Sequence, residues 1–231
     1  MNPFYYYGID SLYILLVLPA ILISLWAQIK VKSTFSKFSK SSAPLSGAQA
    51  AQKVLEANGV YGVKIEPAKG NLTDHYDPRT NTIRLSETVY SVQSIAAVGV
   101  AAHEAGHAVQ YAKGYGPIKI RAAILPVCNI GSQLALPLVL IGFLFGFGFL
   151  VDLGIIFFSL ALIFQLITLP VEFNASRRAL TTIKNNQILY NENDCRGAKK
   201  VLSAAALTYV AAVLVSLAQL LRLIAISNRR R

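Results

Sequence analysis

Two of the three histidines in this 231-residue sequence lie four positions apart, in the string AAHEAGHAV. Positions i and i+4 share one face of an α-helix, so His103 and His107 can present both imidazoles to one metal ion. Glu104 lies beside them, where a carboxylate can accept a proton from a metal-bound water. The HExxH spacing therefore predicts a zinc-dependent hydrolase with Glu104 as catalytic base. The structural alternative is a pair of histidines that pack in a helical bundle.

A catalytic zinc usually has three protein ligands and one open position for water, so this site needs a third ligand. No histidine follows the motif. The carboxylates that follow it are Asp152, Glu172, Glu192 and Asp194. Glu172 stands where a predicted membrane hairpin returns to the side of the HEAGH helix, whereas Asp152 lies at the far end, about 28 Å away along a helix. This geometry favours His103, His107 and Glu172 as the ligands of one Zn²⁺ ion.

The composition indicates a membrane protein. Hydrophobic residues make up 54% of the chain and charged residues 14%, against roughly 25% charged in ordinary soluble domains. These values exclude a purely soluble or disordered chain, and two cysteines are too few for a disulfide scaffold. The net charge of +11 comes without a nucleic-acid-binding motif, so we expect no nucleic-acid partner.

Long uncharged runs divide the chain into five predicted regions. They are an N-terminal transmembrane anchor at 1–29, a cytoplasmic metalloprotease region with the HEAGH helix at 30–121, a transmembrane helical hairpin at 122–171, a cytoplasmic segment with the third-ligand helix at 172–200, and an apolar C-terminal helix with a basic tail at 201–231. That last helix either spans the membrane or packs against the soluble part. The predicted fold class is an α-helical integral membrane protein with a small α+β zincin-like metalloprotease domain.

The distribution of positive charge predicts the orientation. Residues 30–121 carry 12 Lys and Arg and residues 172–200 carry six, while residues 1–29 carry none. Because cytoplasmic loops are enriched in Lys and Arg, we expect a multi-pass protein of the cell membrane with its site on the cytoplasmic face and MNPFYYYGID outside. If 201–221 spans, the Arg-rich tail lies outside, against this tendency.

Local patterns place further elements around the motif. Residues 48–57 and 89–112 have helical composition, and 63–65 and 82–85 have short β-like patterns separated by a turn-rich stretch. The segment NTIRLS at 81–86 precedes the active-site helix, and as an edge strand it could pair with an extended peptide. A strand with only a structural role is the alternative.

HEAGH, followed after a predicted hairpin by EFNASRRA, resembles the YugP-type family of membrane zinc metallopeptidases and, more distantly, the HtpX-type membrane gluzincins. The resemblance covers most of the chain. It implies His103, His107 and Glu172 as zinc ligands and Glu104 as catalytic base. Ser176 stands where the HtpX-type motif has an aspartate, so Asn174 and Ser176 are the candidates for holding the ligands in place.

The oxyanion that develops during hydrolysis needs a donor besides the metal. The candidates are His75, Tyr209, Arg177 and Arg178. For His75 the alternative is a solvated or locally hydrogen-bonded turn residue, and for Tyr209 a packing or interfacial aromatic. Both arginines are expected to face water or lipid headgroups.

The leading hypothesis is a membrane-anchored zinc-dependent endopeptidase. Its expected partners are a peptide or membrane-protein substrate and the lipid bilayer, and the sequence carries no signal for the oligomeric state. One alternative is an intramembrane-cleaving zinc protease with Asp152 as third ligand. Another is a non-enzymatic membrane protein.

Overall fold

The computed structural model describes residues 11–229, without the side chain of residue 229. A π-helical stretch, Tyr13–Val17, leads into the first helix. The elements that follow are α1 Leu18–Ser39, α2 Gly47–Ala57, β1 Lys64–Ala68, β2 His75–Asp77, β3 Thr82–Ser86, α3 Ile95–Ala112, α4 Gly116–Phe145, α5 Gly148–Asn185 and α6 Glu192–Arg229. The segment predicted to lie outside the membrane, MNPFYYYGID, falls outside the described residues.

Four helical stretches are long and apolar enough to cross a bilayer. They are Tyr13–Ser39, Gly116–Phe145, Gly148–Asn185 and Glu192–Asn228. Each exceeds the roughly 20 residues that span a hydrocarbon core. Together with one small mixed sheet, they confirm the predicted fold class of a helical membrane protein with a small α+β part.

The chain forms two compact units. One, here called the span unit, comprises the described parts of Met1–Gln28, Ile120–Leu169 and Thr208–Arg231. The other, here called the sheet unit, comprises Ile29–Lys119 and Pro170–Leu207. The four long helices contribute residues to both units, whereas α2, α3 and the three strands belong to the sheet unit.

In the span unit, α4 and α5 form a helical hairpin. The helices are joined at Gly146, whose positive φ of 74° suits glycine, and Phe147. Gly154 lets the two helices approach closely, because a Cβ there would lie 2.8 Å from the carbonyl oxygen of Ala135. From the sequence we expect two spans to meet near residues 146–152, and this turn lies there.

The C-terminal apolar run of the sequence belongs to the much longer helix α6. In the span unit Ala218 packs against Val17 of the N-terminal helix, and the Arg222 guanidinium lies 5.1 Å from the ring centre of Tyr13. Arg222 follows Ala218 in α6, whereas its partner Tyr13 precedes Val17, so these two stretches run antiparallel. Of the two alternatives for this run, its length and composition favour a span.

The sheet has the order β1-β3-β2, with β1 parallel and β2 antiparallel to β3. Ile83 pairs with Ile65 on one side and with Tyr76 on the other. The expectation that 81–86 forms an edge strand is therefore wrong, because β3 is the central strand. The turn-rich stretch contains the short strand β2. Because β1 and β2 pair with its two sides, β3 has no open side for an added peptide.

Helix α3 is the buried centre of the sheet unit. The Ser94 hydroxyl accepts a hydrogen bond from the Ala97 amide and caps the helix, which begins six residues later than predicted. Fourteen of its 18 residues are buried, most of them Ala, Gly or Val. Small side chains let α2, α5 and the strands β2 and β3 pack closely against α3, so the polar residues that it carries lie in a buried, water-poor setting.

Candidate metal centre

The two histidines of HEAGH lie next to each other on one face of α3. Their ring centres are 4.7 Å apart and the rings meet edge to face at 83°. His107 is buried, and the side chain of His103 keeps only 15% of its exposure. The helical spacing thus places both imidazoles at one point, as the motif predicts.

Glu172 of α5 reaches the same point. Its Oε2 lies 3.2 Å from His103 Nε2 and 3.5 Å from His107 Nε2. The ligand atoms of the three side chains all lie within 4.8 Å of one another, and among residues 11–229 they form the group able to hold a metal ion. Two ligands that bind one tetrahedral zinc at about 2.05 Å are about 3.3 Å apart, so the observed spacing fits that ion.

Negative charge dominates this cluster. Burial by itself lowers the pKa of His107, but the hydrogen bond to Glu172 and the charges of Glu104 and Glu172 outweigh it, so the pKa of His107 is raised. Glu104 is itself buried, with 8% of its surface exposed. Two carboxylates in a poorly solvated site favour positive charge there, and a divalent cation satisfies that preference better than a proton.

Each histidine has a different polar neighbour at Nδ1. His103 Nδ1 lies 3.0 Å from the Ser176 hydroxyl, and His107 Nδ1 lies 3.0 Å from Gln110 Oε1. Both contacts leave Nε2 on the side of Glu172. Ser176 and Asn174, the two candidates for holding the ligands, thus have different positions: Ser176 contacts a histidine directly, and Asn174 contacts Gln110.

Sequence reasoning missed Gln110. It is fully buried, three residues after His107 on the same face of α3. A signal was present, because it is a polar residue in an otherwise apolar stretch of helix. Its partners on α5, however, are about 60 positions away and are visible only in the folded chain.

The other sequence candidates lie elsewhere. His75 is exposed at the start of β2, where its Nδ1 lies 2.7 Å from the carbonyl oxygen of Thr73, which fits the local turn role. Asp152 and Tyr209 belong to the span unit. Arg177 is exposed, whereas Arg178 is half-buried and donates from Nε to Asn174 Oδ1 at 2.8 Å.

Gly106 brings together α3 and α5, the two helices that carry the predicted ligands. It lies between the two histidines, and a Cβ at this position would be 2.6 Å from the carbonyl oxygen of Ala175 on α5. A backbone atom cannot move aside as a side chain can. The close approach of α3 and α5 at this point therefore sets the distance from Glu172 to the imidazoles.

We expect Gly106→Ala to weaken zinc binding and to lower the unfolding free energy by about 1–3 kcal/mol, because the added methyl forces the two helices apart. A displacement of about 0.5 Å already exceeds what a metal site tolerates. The measurements are zinc affinity, by competition with a chelator, and the thermal unfolding midpoint in detergent.

Gly99→Ala is the matched control on the same helix. A Cβ at Gly99 would meet Ala198 at 3.7 Å, an ordinary contact, and alanine is the better helix former by up to about 1 kcal/mol. This variant should keep wild-type zinc affinity and unfold at the same or a higher temperature. Equal zinc affinity in the two variants would show that the helix approach at Gly106 does not shape the site.

Comparison with known proteins gives one family. Residues 13–228 match the family model described as "Putative neutral zinc metallopeptidase". The chain is also similar to "Putative membrane protease YugP" of Bacillus subtilis (strain 168), with 52% identity over 217 residues that cover 93% of this chain and 96% of that protein. No solved structure matches.

Proposed function

Because the chain belongs to the "Putative neutral zinc metallopeptidase" family, we propose that it is a membrane-anchored zinc-dependent endopeptidase. The observation that carries the proposal is the convergence of two Nε2 atoms and one carboxylate oxygen, 3.2 and 3.5 Å apart, at a spacing that suits one tetrahedral ion. In this proposal His103, His107 and Glu172 bind one Zn²⁺, and Glu104 is the catalytic base.

The donor set suits zinc in chemical type as well as in spacing. Two neutral imidazoles and one carboxylate form a known catalytic zinc site, in which the fourth position stays open. A zinc ion bound by these three side chains would lower the pKa of a bound water to about 7 and polarise the scissile carbonyl. Glu172 would supply the only negative charge among the ligands, so the site would keep the net positive charge that favours the developing oxyanion.

Glu104 moves the protons in this mechanism. It directly follows a ligand on α3, is buried, and is not a member of the three-residue ligand group. Its carboxylate takes the proton of the attacking water and passes it to the leaving amine. General base catalysis of this kind contributes about 10²–10⁴-fold to the rate.

The proposed substrate is a peptide or a membrane protein, since the family is described as metallopeptidases and hydrolysis of a peptide bond is within the chemistry of an activated water and one carboxylate. The test is a peptidase assay on the full-length protein, purified in detergent, with an unstructured fluorogenic polypeptide. A zinc chelator should abolish cleavage, and added zinc should restore it. Cleavage that persists at full rate in the chelator would contradict the proposal.

We propose that the four apolar helices all span the cell membrane and that the metal cluster faces the cytoplasm. The 12 and six basic residues of 30–121 and 172–200 support this orientation. In a background without Cys128 and Cys195, a cysteine at the exposed Ser91 should react with an impermeant maleimide only after the cells are permeabilised.

The control for this labelling is Asn228→Cys at the end of α6, an exposed position that should react in intact cells because α6 ends on the outer side. Labelling of Ser91→Cys in intact cells would reverse the orientation. Labelling of both positions only after permeabilisation would mean that α6 does not span.

A further inference from the structure

Gln110 is a fully buried amide wedged between α3 and α5. Its Nε2 donates to the carbonyl oxygen of Val171 at 2.8 Å and to Asn174 Oδ1 at 3.0 Å, and its Oε1 lies 3.0 Å from His107 Nδ1. All three partners belong to α3 or α5, the two helices that carry the proposed ligands. A buried amide with this many partners has one orientation, and that orientation has a consequence for His107.

Arg178 determines how the amides are oriented. A guanidinium only donates hydrogen bonds, so the group that Arg178 Nε contacts on Asn174 must be the oxygen Oδ1. Gln110 contacts that same oxygen and also a main-chain carbonyl, both of which only accept. Gln110 therefore presents Nε2 to them, and its Oε1 faces His107.

The imidazole of His107 is then left with one tautomer. Because Gln110 Oε1 only accepts, His107 Nδ1 must carry the proton. Nε2 is then unprotonated in the neutral ring, and with a cation between it and Glu172 Oε2, 3.5 Å away, its lone pair would face that cation. This is the form in which a histidine binds a metal through Nε2.

His103 is held differently. Its Nδ1 contacts the Ser176 hydroxyl, which can donate as well as accept, so this contact does not select a tautomer. The two histidines of the motif are thus unequal: Gln110 fixes the proton on Nδ1 of His107, whereas the contact with Ser176 leaves both tautomers of His103 open.

We propose that Gln110, oriented by Asn174 and Arg178, is a positioning residue that fixes His107 as the Nδ1-protonated tautomer and so presets Nε2 for the metal. The inference rests on the proposed function, because it requires that His107 binds zinc. With the opposite tautomer, an N–H would point at the ion and two acceptors would face each other at 3.0 Å in a buried site, which is strongly unfavourable.

The first test is Gln110→Met, which preserves volume and flexibility but removes both the acceptor and the donors. We expect zinc affinity, measured by chelator competition on the full-length protein, to fall about 10–100-fold, as is typical when the outer partner of a metal-bound histidine is lost. Cobalt bound in place of zinc should show an altered visible spectrum, because the ring is free to reorient. Gln52→Met, an exposed glutamine on α2, is the matched control and should leave both readouts unchanged.

The second test does not depend on whether a core variant folds. Asn174 is half-buried, and both of its contacts use Oδ1. Asn174→Asp keeps an acceptor for Arg178 and Gln110 and should retain zinc affinity and the cobalt spectrum. Asn174→Leu removes the acceptor, releases the Gln110 amide and should show the loss seen with Gln110→Met.

The outcomes separate this inference from the proposed function. A wild-type protein that binds no zinc refutes the metal site and with it the endopeptidase. A wild-type protein that binds zinc, together with Gln110→Met of equal affinity and identical cobalt spectrum, refutes only the positioning role. If Gln110→Met does not fold, equal affinities of the Asp and Leu variants at Asn174 refute the role in the same way.

Discussion

Glu172→Ala abolishes zinc retention and peptidase activity, while Asp152→Asn leaves both nearly unchanged: this is the largest effect that we expect. Glu172 Oε2 lies 3.2 and 3.5 Å from the two Nε2 atoms, and the carboxylate is buried. Its removal takes away one of the three proposed ligands and the negative charge that would offset a dication in a poorly solvated site. Zinc affinity should fall by more than the roughly 100-fold that follows loss of an outer partner.

The measurement is zinc per protein by elemental analysis after dialysis, with cleavage of the fluorogenic substrate measured on the same sample. Asp152→Asn is the matched control because it also removes one carboxylate from α5, but in the span unit and outside the ligand group. Zinc lost in Asp152→Asn and kept in Glu172→Ala would favour the intramembrane protease with Asp152 as ligand. Zinc kept in both variants would favour the non-enzymatic alternative.

We expect the second large effect from Glu104→Gln, which should remove catalysis and leave zinc binding intact. The amide has the size of the carboxylate and should leave the ligand group intact, so zinc stoichiometry should match the wild type. It cannot take a proton from water, and kcat should fall about 10²–10⁴-fold. Glu104 is buried, with only 8% of its surface exposed, so bulk water has little access to act as the base in its place.

The controls for this variant are His103→Ala and His107→Ala, each of which should lose zinc together with activity. The comparison separates a group that moves protons from groups that bind the ion. Loss of zinc in Glu104→Gln would mean that Glu104 contributes to binding, and unchanged kcat would assign the base to another residue.

The sequence by itself determined the elements that depend on neighbours within a few turns. The i, i+4 spacing of His103 and His107 holds on any regular helix, and runs of some 20 apolar residues reveal helices able to span a bilayer wherever they pack. For the same reason the hairpin and its turn near Gly146 follow from composition alone. Hydropathy and helical periodicity are local properties, so they can be recognised in the sequence without knowledge of the fold.

Only the tertiary structure decided which residues meet across α3 and α5. Sequence geometry favoured Glu172, but its distances to the imidazoles result from the close backbone approach at Gly106, where the partner helix is about 70 residues away in the chain. The same approach brings Gln110 to Val171 and Asn174.

Sequence reasoning also missed the strand order, because the three-residue strand β2 is too short to show a period, although its pairing with β3 joins neighbouring segments of the chain. A short polar strand and a buried amide have no pattern of their own. The partners of the amide, Val171 and Asn174, are set by the packing of two distant helices, and that packing determines the surroundings of His103, His107 and Glu172.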